Sequence, residues 1–456
     1  MENNNETRRA LPQVEKLLAS PEFAPEVEKL GRGFAADIIR GVIGNARIRM
    51  ESGETVDAQS IPAEALAECE KVARGRLSRV INCTGVLIHT NLGRAPLGKD
   101  ALAELAEDMG GYSNLEFALE DGKRGKRGGI VEEQLARLID AEAALVVNNN
   151  AAAVFLILSE FANGSEVIVS RGELIQIGGG FRIPDIMQAT GARLVEVGTT
   201  NITEAEDYSA ALTENTAMIF SAHRSNHKMT GFVRSPSIRE IAAVKPTNVV
   251  FVRDLGSGNF IGSALPDDTP AFEIRQGADI VCFSGDKLFG SCQAGIIVGK
   301  EDAVSRLRKN PLMRVLRPDK ITLYLLSRAC AVYSGNRQSS IPLLKMIKTP
   351  QDELQARAAK VIRKVKHDNK SEHLAKIKTK ATFGGGALPG YRLQSAGICL
   401  NDIPTEAALN FLRGRPLPVI GGAVDGVAVL DMMTLFEDEI GDVAAALDAL
   451  LEKFYG

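Results

Sequence analysis

The sequence predicts an α/β protein: a mostly parallel sheet covered by helices, preceded by a small helical domain and followed by an α+β domain. Three observations carry that reading. Between Asn82 and Gly299, short β-branched runs alternate with amphipathic stretches, the pattern of strands and the helices that cover them. Residues up to about Arg79 keep helical spacing and carry little strand signal. Beyond Asp319 long helical stretches come first and short apolar runs return later. The expected domains are 1–79, 80–335 and 336–456.

In the first segment Leu11, Val14, Leu17 and Leu18 recur at helical spacing, as do Phe34, Ile38, Ile39 and Val42. Ser60-Ile-Pro sets a serine ahead of a proline at a first helical position, which starts a further helix. Strands are expected at Ala143–Val147, Glu166–Ser170, Leu194–Gly198, Ala217–Ser221, Val249–Arg253, Ile280–Ser284 and Gly295–Val298. Helices at Ala151–Phe161 and Ser235–Val244 lie between some of them, as parallel crossovers require. Ligands of such sheets sit at the carboxyl ends of the strands. Asp319–Tyr333 reads as a long helix, Gln351–Lys380 as a basic helical stretch, and Tyr391–Leu400 and Gly426–Met432 as parts of the smaller domain.

Composition narrows the function classes. A chain of 456 residues is long enough for about three domains. With 54 Lys+Arg against 57 Asp+Glu the net charge is −3, so any nucleic-acid binding must rest on local patches. A share of 45% apolar residues with no run near the ~18–20 that span a bilayer excludes the helical membrane class. The N-terminus has two arginines, Arg8 and Arg9, and no apolar stretch behind them, which is not a secretory signal. Cys69, Cys83, Cys282, Cys292, Cys330 and Cys399 form no C-x-x-C pair, against a zinc site or a disulfide framework. A reducing cytoplasm is the expected location.

The sharpest chemical signal is Ile280-Val-Cys-Phe-Ser-Gly-Asp-Lys287-Leu-Phe-Gly290, an apolar strand delivering a lysine into a turn. Ser284 stands three residues before it, so a hydroxyl and an imine-forming amine can hold the phosphate and the aldehyde of one small molecule. That molecule is pyridoxal 5′-phosphate (PLP). PLP also needs an acid to keep its pyridine nitrogen protonated, and Asp254 ends the strand Val249–Arg253. It needs a phosphate cradle: Asn149, Asn150 and Ala151 open a helix after a strand, where free N–H groups and the helix dipole favour an anion. His223, after another strand, is the candidate to stack on the ring. Singly, each has a plain alternative, an Asp-x-Gly turn for Asp254 and a helix cap for the asparagines.

Taken with their neighbours these motifs resemble the bacterial selenocysteine synthase (L-seryl-tRNA(Sec) selenium transferase) family. The likeness runs over almost the whole chain. It is densest in Asn82-Cys-Thr-Gly-Val-Leu-Ile-His-Thr-Asn-Leu-Gly-Arg94, Tyr112-Ser-Asn-Leu-Glu116, Val147-Asn-Asn-Asn-Ala-Ala-Ala153, Ser170-Arg-Gly-Glu173, Gly179-Gly-Phe-Arg-Ile-Pro184 and Ser284-Gly-Asp-Lys287. The resemblance implies a fold-type-I PLP-dependent transferase with Lys287 as the Schiff-base lysine and Asp254 as the partner of the pyridine nitrogen. It implies that Arg94, Arg314 and Arg317 bind the anion of the selenium donor, selenophosphate. It further implies serine-charged tRNA(Sec) as substrate, gripped by the N-terminal domain, and a homodecamer built from dimers. Arg8, Arg9, Arg47 and Arg49 are the candidate tRNA contacts in that near-neutral domain. The chain departs from the family pattern at Gly128-Gly129-Ile130, at Gly290-Ser-Cys and at Gly422.

Two further readings stay open from sequence. One is a PLP-dependent lyase of the same fold acting on a free amino-sugar acid or amino acid, a class that lacks the N-terminal domain. The other is a PLP- or tRNA-binding subunit without turnover.

Overall fold

The computed structural model describes residues 11–177, 180–224, 226–262, 265, 268–335, 337–368 and 370–456. Arg8, Arg9 and Gly179 lie outside the described residues. The chain forms two compact units, Met1–Val80 and Ile81–Gly456.

The first unit is helical among its described residues, with helices Val14–Leu18, Ala24–Leu30, Arg32–Glu51 and Ile61–Arg74. Ile39, Ile43, Ala46 and Met50 recur every three to four residues on the third helix and are buried, facing Ile61, Ala65 and Cys69 of the fourth. Pro62 opens that fourth helix as expected. The Ser60 hydroxyl does not cap it; it donates to Glu64 Oε1 at 2.7 Å.

Among its described residues the second unit carries fifteen strands: β1 (Ile81–Asn82), β2 (Ala143–Val147), β3 (Glu166–Ser170), β4 (Gln176–Ile177), β5 (Phe181–Arg182), β6 (Arg193–Val197), β7 (Thr216–Ala222), β8 (Val250–Gly256), β9 (Ile280–Ser284), β10 (Gly295–Gly299), β11 (Leu374–Thr382), β12 (Arg392–Leu400), β13 (Val419–Ile420), β14 (Gly422–Val424) and β15 (Val427–Asp431). Seven of them form the main sheet in the order β2-β10-β9-β8-β7-β3-β6. All its pairs are parallel except those of β10, which runs antiparallel to both β2 and β9. That exception follows from the short 285–294 connection, too short for a parallel crossover. It is this connection that bears Lys287.

The main sheet is apolar on both faces, as a covered parallel sheet must be. One face, with Val147, Val169, Phe220, Val252 and Cys282, packs on helix Asn150–Phe161. The other, with Ile168, Ile219, Phe251 and Phe283, packs on helices that include Val131–Ile139 and Lys320–Ser334. Asp319 caps the latter, accepting from the N–H groups of Ile321 and Thr322 at 2.7 and 2.9 Å.

The expectation of helix through Gln351–Lys380 is corrected. The helix ends at Lys364, a short turn spans Lys370–His373, and Leu374–Thr382 is β11, an edge of the smaller sheet β11-β12-β15-β14. Lys376, Lys378 and Lys380 alternate with Ile377 and Thr379, a period of two that leaves the lysines exposed. Lysines on an edge strand also discourage pairing with other chains.

Candidate active site

At the carboxyl edge of the main sheet a cavity of about 250 Å³ opens, and Lys287 stands in its wall. It is also lined by Arg94, Asn149, Asn150, Ala151, His223, Asp254 and Ser284. Eight of the ten residues singled out from sequence thus share one cavity; Arg314 and Arg317 are not among its lining residues.

Lys287 is 7% exposed. Burial lowers its amine below the ordinary lysine value, and the Arg94 charge adds to this against the opposing pull of Asp254 and Asp286. A larger share of Nζ is therefore unprotonated and nucleophilic. Asp254, on β8, accepts from Asn150 Nδ2 at 2.9 Å and from the Gly256 N–H at 3.0 Å through one oxygen, Oδ1. The His223 N–H donates to the Asp254 carbonyl at 2.8 Å, continuing the β7–β8 ladder past Ala222↔Asp254.

The asparagine pair does two separate jobs. Asn149 caps helix Asn150–Phe161, accepting from the Ala152 N–H at 2.8 Å. Asn150 leaves its Oδ1 buried and without a hydrogen-bond partner, an acceptor waiting for a donor. The turn lies against β10, where Gly295 approaches it so closely that a Cβ there would sit 2.2 Å from the Asn149 carbonyl oxygen.

Arg94 adopts φ +62°, a left-handed conformation that costs a non-glycine residue about 1–2 kcal/mol. Its Nη1 donates to both oxygens of Asp286, at 3.1 and 2.9 Å, leaving the rest of the guanidinium fork available. Asp286 went unread from sequence although it precedes Lys287 directly. Arg317 lies 3.5 Å from Glu116, which also holds Arg124 and Arg127. Arg314 is exposed. Both sit beside the asparagine turn, because the Asn148 N–H donates to the Leu316 carbonyl at 2.9 Å.

The positions that depart from the family pattern have distinct surroundings. Gly128 and Gly129 both have positive φ, +80° and +56°, and a Cβ at Gly128 would press on Leu323 at 3.0 Å. Cys292 lines a neighbouring hollow with Arg94 and Asp286, but burial pushes its thiol up to about 12, so it is no thiolate at neutral pH. Gly422 begins β14. Of the described tRNA candidates, Arg49 is engaged by Glu54 at 2.7 Å, and Arg47 is exposed.

The family model described as L-seryl-tRNA selenium transferase matches residues 80–436, and the one described as selenocysteine synthase N terminal matches residues 8–47. The chain belongs to the L-seryl-tRNA selenium transferase family. It is 39% identical to the L-seryl-tRNA(Sec) selenium transferase of Carboxydothermus hydrogenoformans, over 95% of each chain. It is 37% identical to that of Aquifex aeolicus, over 97% of this chain and 98% of the other. Among solved structures, D-glucosaminate-6-phosphate ammonia-lyase shares the fold, with a TM-score of 0.60 at 18% identity, covering 83% of this chain and 96% of that one.

The residues of this family member fit PLP. A buried amine of lowered pKa faces the cavity, a carboxylate stands on β8, and a capped helix N-terminus with a spare buried acceptor closes one wall. Among the described residues no cluster of three His, Cys, Asp or Glu could hold a metal ion, and no helix is long and apolar enough to cross a membrane.

Proposed function

We propose that this protein converts seryl-tRNA(Sec) to selenocysteinyl-tRNA(Sec) in the cytoplasm, with PLP as cofactor and selenophosphate as selenium donor. The observation that carries the reading is the buried Lys287 amine in one cavity with Asp254, His223, Asn150 and Arg94, in a chain whose residues 8–47 and 80–436 match the family's models.

PLP, once joined to the serine amine in place of the lysine, would supply the electron sink that weakens the Cα–H bond, which loss of the serine hydroxyl requires. Lys287 Nζ would hold the cofactor and, when released, take the Cα proton; burial lowers its pKa below the ordinary lysine value, which favours the free amine. Asp254 would hold the pyridine nitrogen and His223 would lie against the ring, while the helix N-terminus at Asn149, Asn150 and Ala151 would offer backbone N–H groups to the phosphate together with the Ser284 hydroxyl. Arg94 receives the donor anion together with Arg314 and Arg317, because guanidinium forks match phosphate oxygens.

The N-terminal domain holds the tRNA. Its family match over 8–47 favours this reading over a lyase acting on a free small molecule, whose class lacks such a domain. The protein assembles as a homodecamer of dimers. Phe117, Leu119, Ile130 and Val315 are exposed apolar residues near Arg314 and Arg317 in sequence or through Glu116. A second copy covering them would enclose those arginines.

The test loads the protein with PLP, fixes it with borohydride and maps the pyridoxyl group by mass spectrometry. It then assays selenium transfer from selenophosphate to seryl-tRNA(Sec). The expected result is modification at Lys287 and selenocysteinyl-tRNA formation, both absent in Lys287→Ala. Modification elsewhere overturns the lysine assignment. Turnover of small amino acids without tRNA overturns the substrate.

A further inference from the structure

We propose that Glu173 is a positioning residue that holds the ends of β7 and β8, from behind the main sheet, in the register that presents His223 and Asp254 to the cofactor pocket. The proposal rests on the PLP reading above.

Successive residues of a strand point to opposite faces, so Asp254 faces the Lys287 cavity while its neighbour Arg253 faces away. On the Arg253 side a second polar cavity, about 390 Å³, is lined by Glu173, Ser221, Arg253 and Glu273, and it shares Ala222 and His223 with the Lys287 cavity. The Glu173 carboxylate spans the two residues before His223. Its Oε1 accepts from the Ser221 hydroxyl at 3.0 Å and its Oε2 from the Ala222 N–H at 3.0 Å. The same Ser221 hydroxyl accepts from Arg253 Nη1 at 2.7 Å, and Arg253 Nε donates to Glu273 Oε1 at 3.2 Å. A continuous chain of hydrogen bonds thus joins the turn after β3, the end of β7 and the end of β8, three neighbouring strands.

The placement has a cost that packing alone does not repay. Glu173 is 8% exposed and Glu273 is 1% exposed, and Glu273 Oε2 is buried with no hydrogen-bond partner. Burial raises both carboxyl groups, and it works against the Arg253 charge, which Glu273 and Glu173 more than restore. Two buried carboxyls and a buried guanidinium bought at this desolvation cost fix a backbone geometry: the Ala222 N–H sits one residue before His223 and opposite Asp254. Beyond the Ala222↔Asp254 pair the His223 N–H donates to the Asp254 carbonyl, so a hold on the Ala222 N–H acts one residue from His223 and directly across from Asp254.

The test uses the full chain and reads PLP affinity by absorbance titration, the visible circular dichroism of the bound cofactor, and the thermal midpoint without cofactor. Glu173→Ala should weaken PLP binding about tenfold and change the dichroism, since it removes two hydrogen bonds to a charged group. Glu173→Gln, which keeps an acceptor for the Ala222 N–H, should stay within about threefold. Ser221→Ala should weaken binding and add little to Glu173→Ala, because both break one chain. Leu412→Ala, a buried apolar truncation in helix Thr405–Arg413, is the stability control. If it lowers the midpoint as Glu173→Ala does and loses PLP affinity equally, the role is merely structural and the proposal falls. Wild-type affinity in Glu173→Ala, or equal loss in Glu173→Gln and Glu173→Ala, also overturns it. A wild-type chain that takes up no PLP overturns the cofactor reading and this proposal together.

Discussion

Replacing Gly295 with alanine adds one methyl group where the chain has no room for it. The added Cβ would lie 2.2 Å from the Asn149 carbonyl oxygen, 2.6 Å from its carbon and 2.7 Å from Val147 Cγ2, where ordinary contact begins at 3.4 Å. Asn149 must therefore retreat by about 1 Å, because the obstacle is backbone and cannot rotate aside. Two interactions depend on that backbone: the Asn149 cap on Ala152, and the bond from Asn150 to Asp254. Losing the cap costs about 1 kcal/mol, weakening the hydrogen bond to a carboxylate about 1.5–3, and crowding itself about 1–3. These overlap, so the expected destabilisation is about 3–5 kcal/mol, read from urea unfolding. PLP affinity should fall with it, because the displaced turn carries the proposed phosphate cradle. A Gly295→Ala protein within about 1 kcal/mol of wild type and with unchanged PLP affinity would refute the claim that this contact sets the site.

Lys287→Met should stabilise the cofactor-free protein near neutral pH. A folded-state pKa below the unfolded value means that protonation opposes folding, so wild type recovers stability as pH rises from the folded pKa toward 10.5; the difference in thermal midpoint should shrink over that window. Arg94→Ala should raise the apparent KM for selenophosphate while leaving PLP affinity unchanged, and unchanged KM removes Arg94 from the donor site. Asp254→Ala should weaken PLP binding and abolish selenium transfer, checked by titration and by labelled-tRNA assay. Deleting residues 1–79 should leave PLP uptake intact and strongly weaken seryl-tRNA(Sec) binding in a filter assay. Intact-protein binding should also fall as salt rises, the mark of phosphate contacts.

The cofactor end of the site was legible because each part follows a strand. Lys287, Asp254, His223 and Asn150 come directly after or at the end of an apolar run, and a parallel sheet brings all such ends to one edge. The strand bounds held within one residue, as at Ile280–Ser284, except for Val249–Arg253, where β8 runs three residues further to Gly256. What failed was the basic stretch after Gln351. Lysine is a good helix former, and its abundance masked the alternation that makes Leu374–Thr382 a strand. Composition there pointed one way and periodicity the other, and the burial of Leu374, Thr379 and Ala381 on one sheet decided for the strand.

The residues that sequence did not reveal share a different property: each acquires its meaning from a partner far along the chain. Asp286 reads as one more turn aspartate until Arg94, 192 residues away, donates to it. Arg253 and Glu173 read as ordinary strand-end and turn charges, and Glu273 as an acid in a helical first turn. Only the β3–β7–β8 adjacency places them in one buried cluster behind the cofactor pocket. Arg314 and Arg317 present the same dependence one level up. Motif matching assigns them to the donor anion, yet in a single chain Arg317 leans on Glu116 and Arg314 faces outward. Guanidinium groups so placed gather round an anion only if something else closes over them, and the exposed Val315 beside them gives a second copy an apolar surface on which to do so. Donor use should therefore depend on assembly: a variant made monomeric by Val315→Glu should keep PLP on Lys287 while losing response to selenophosphate. A monomer with wild-type donor kinetics, established by sedimentation alongside the transfer assay, would show that the three arginines meet within one chain.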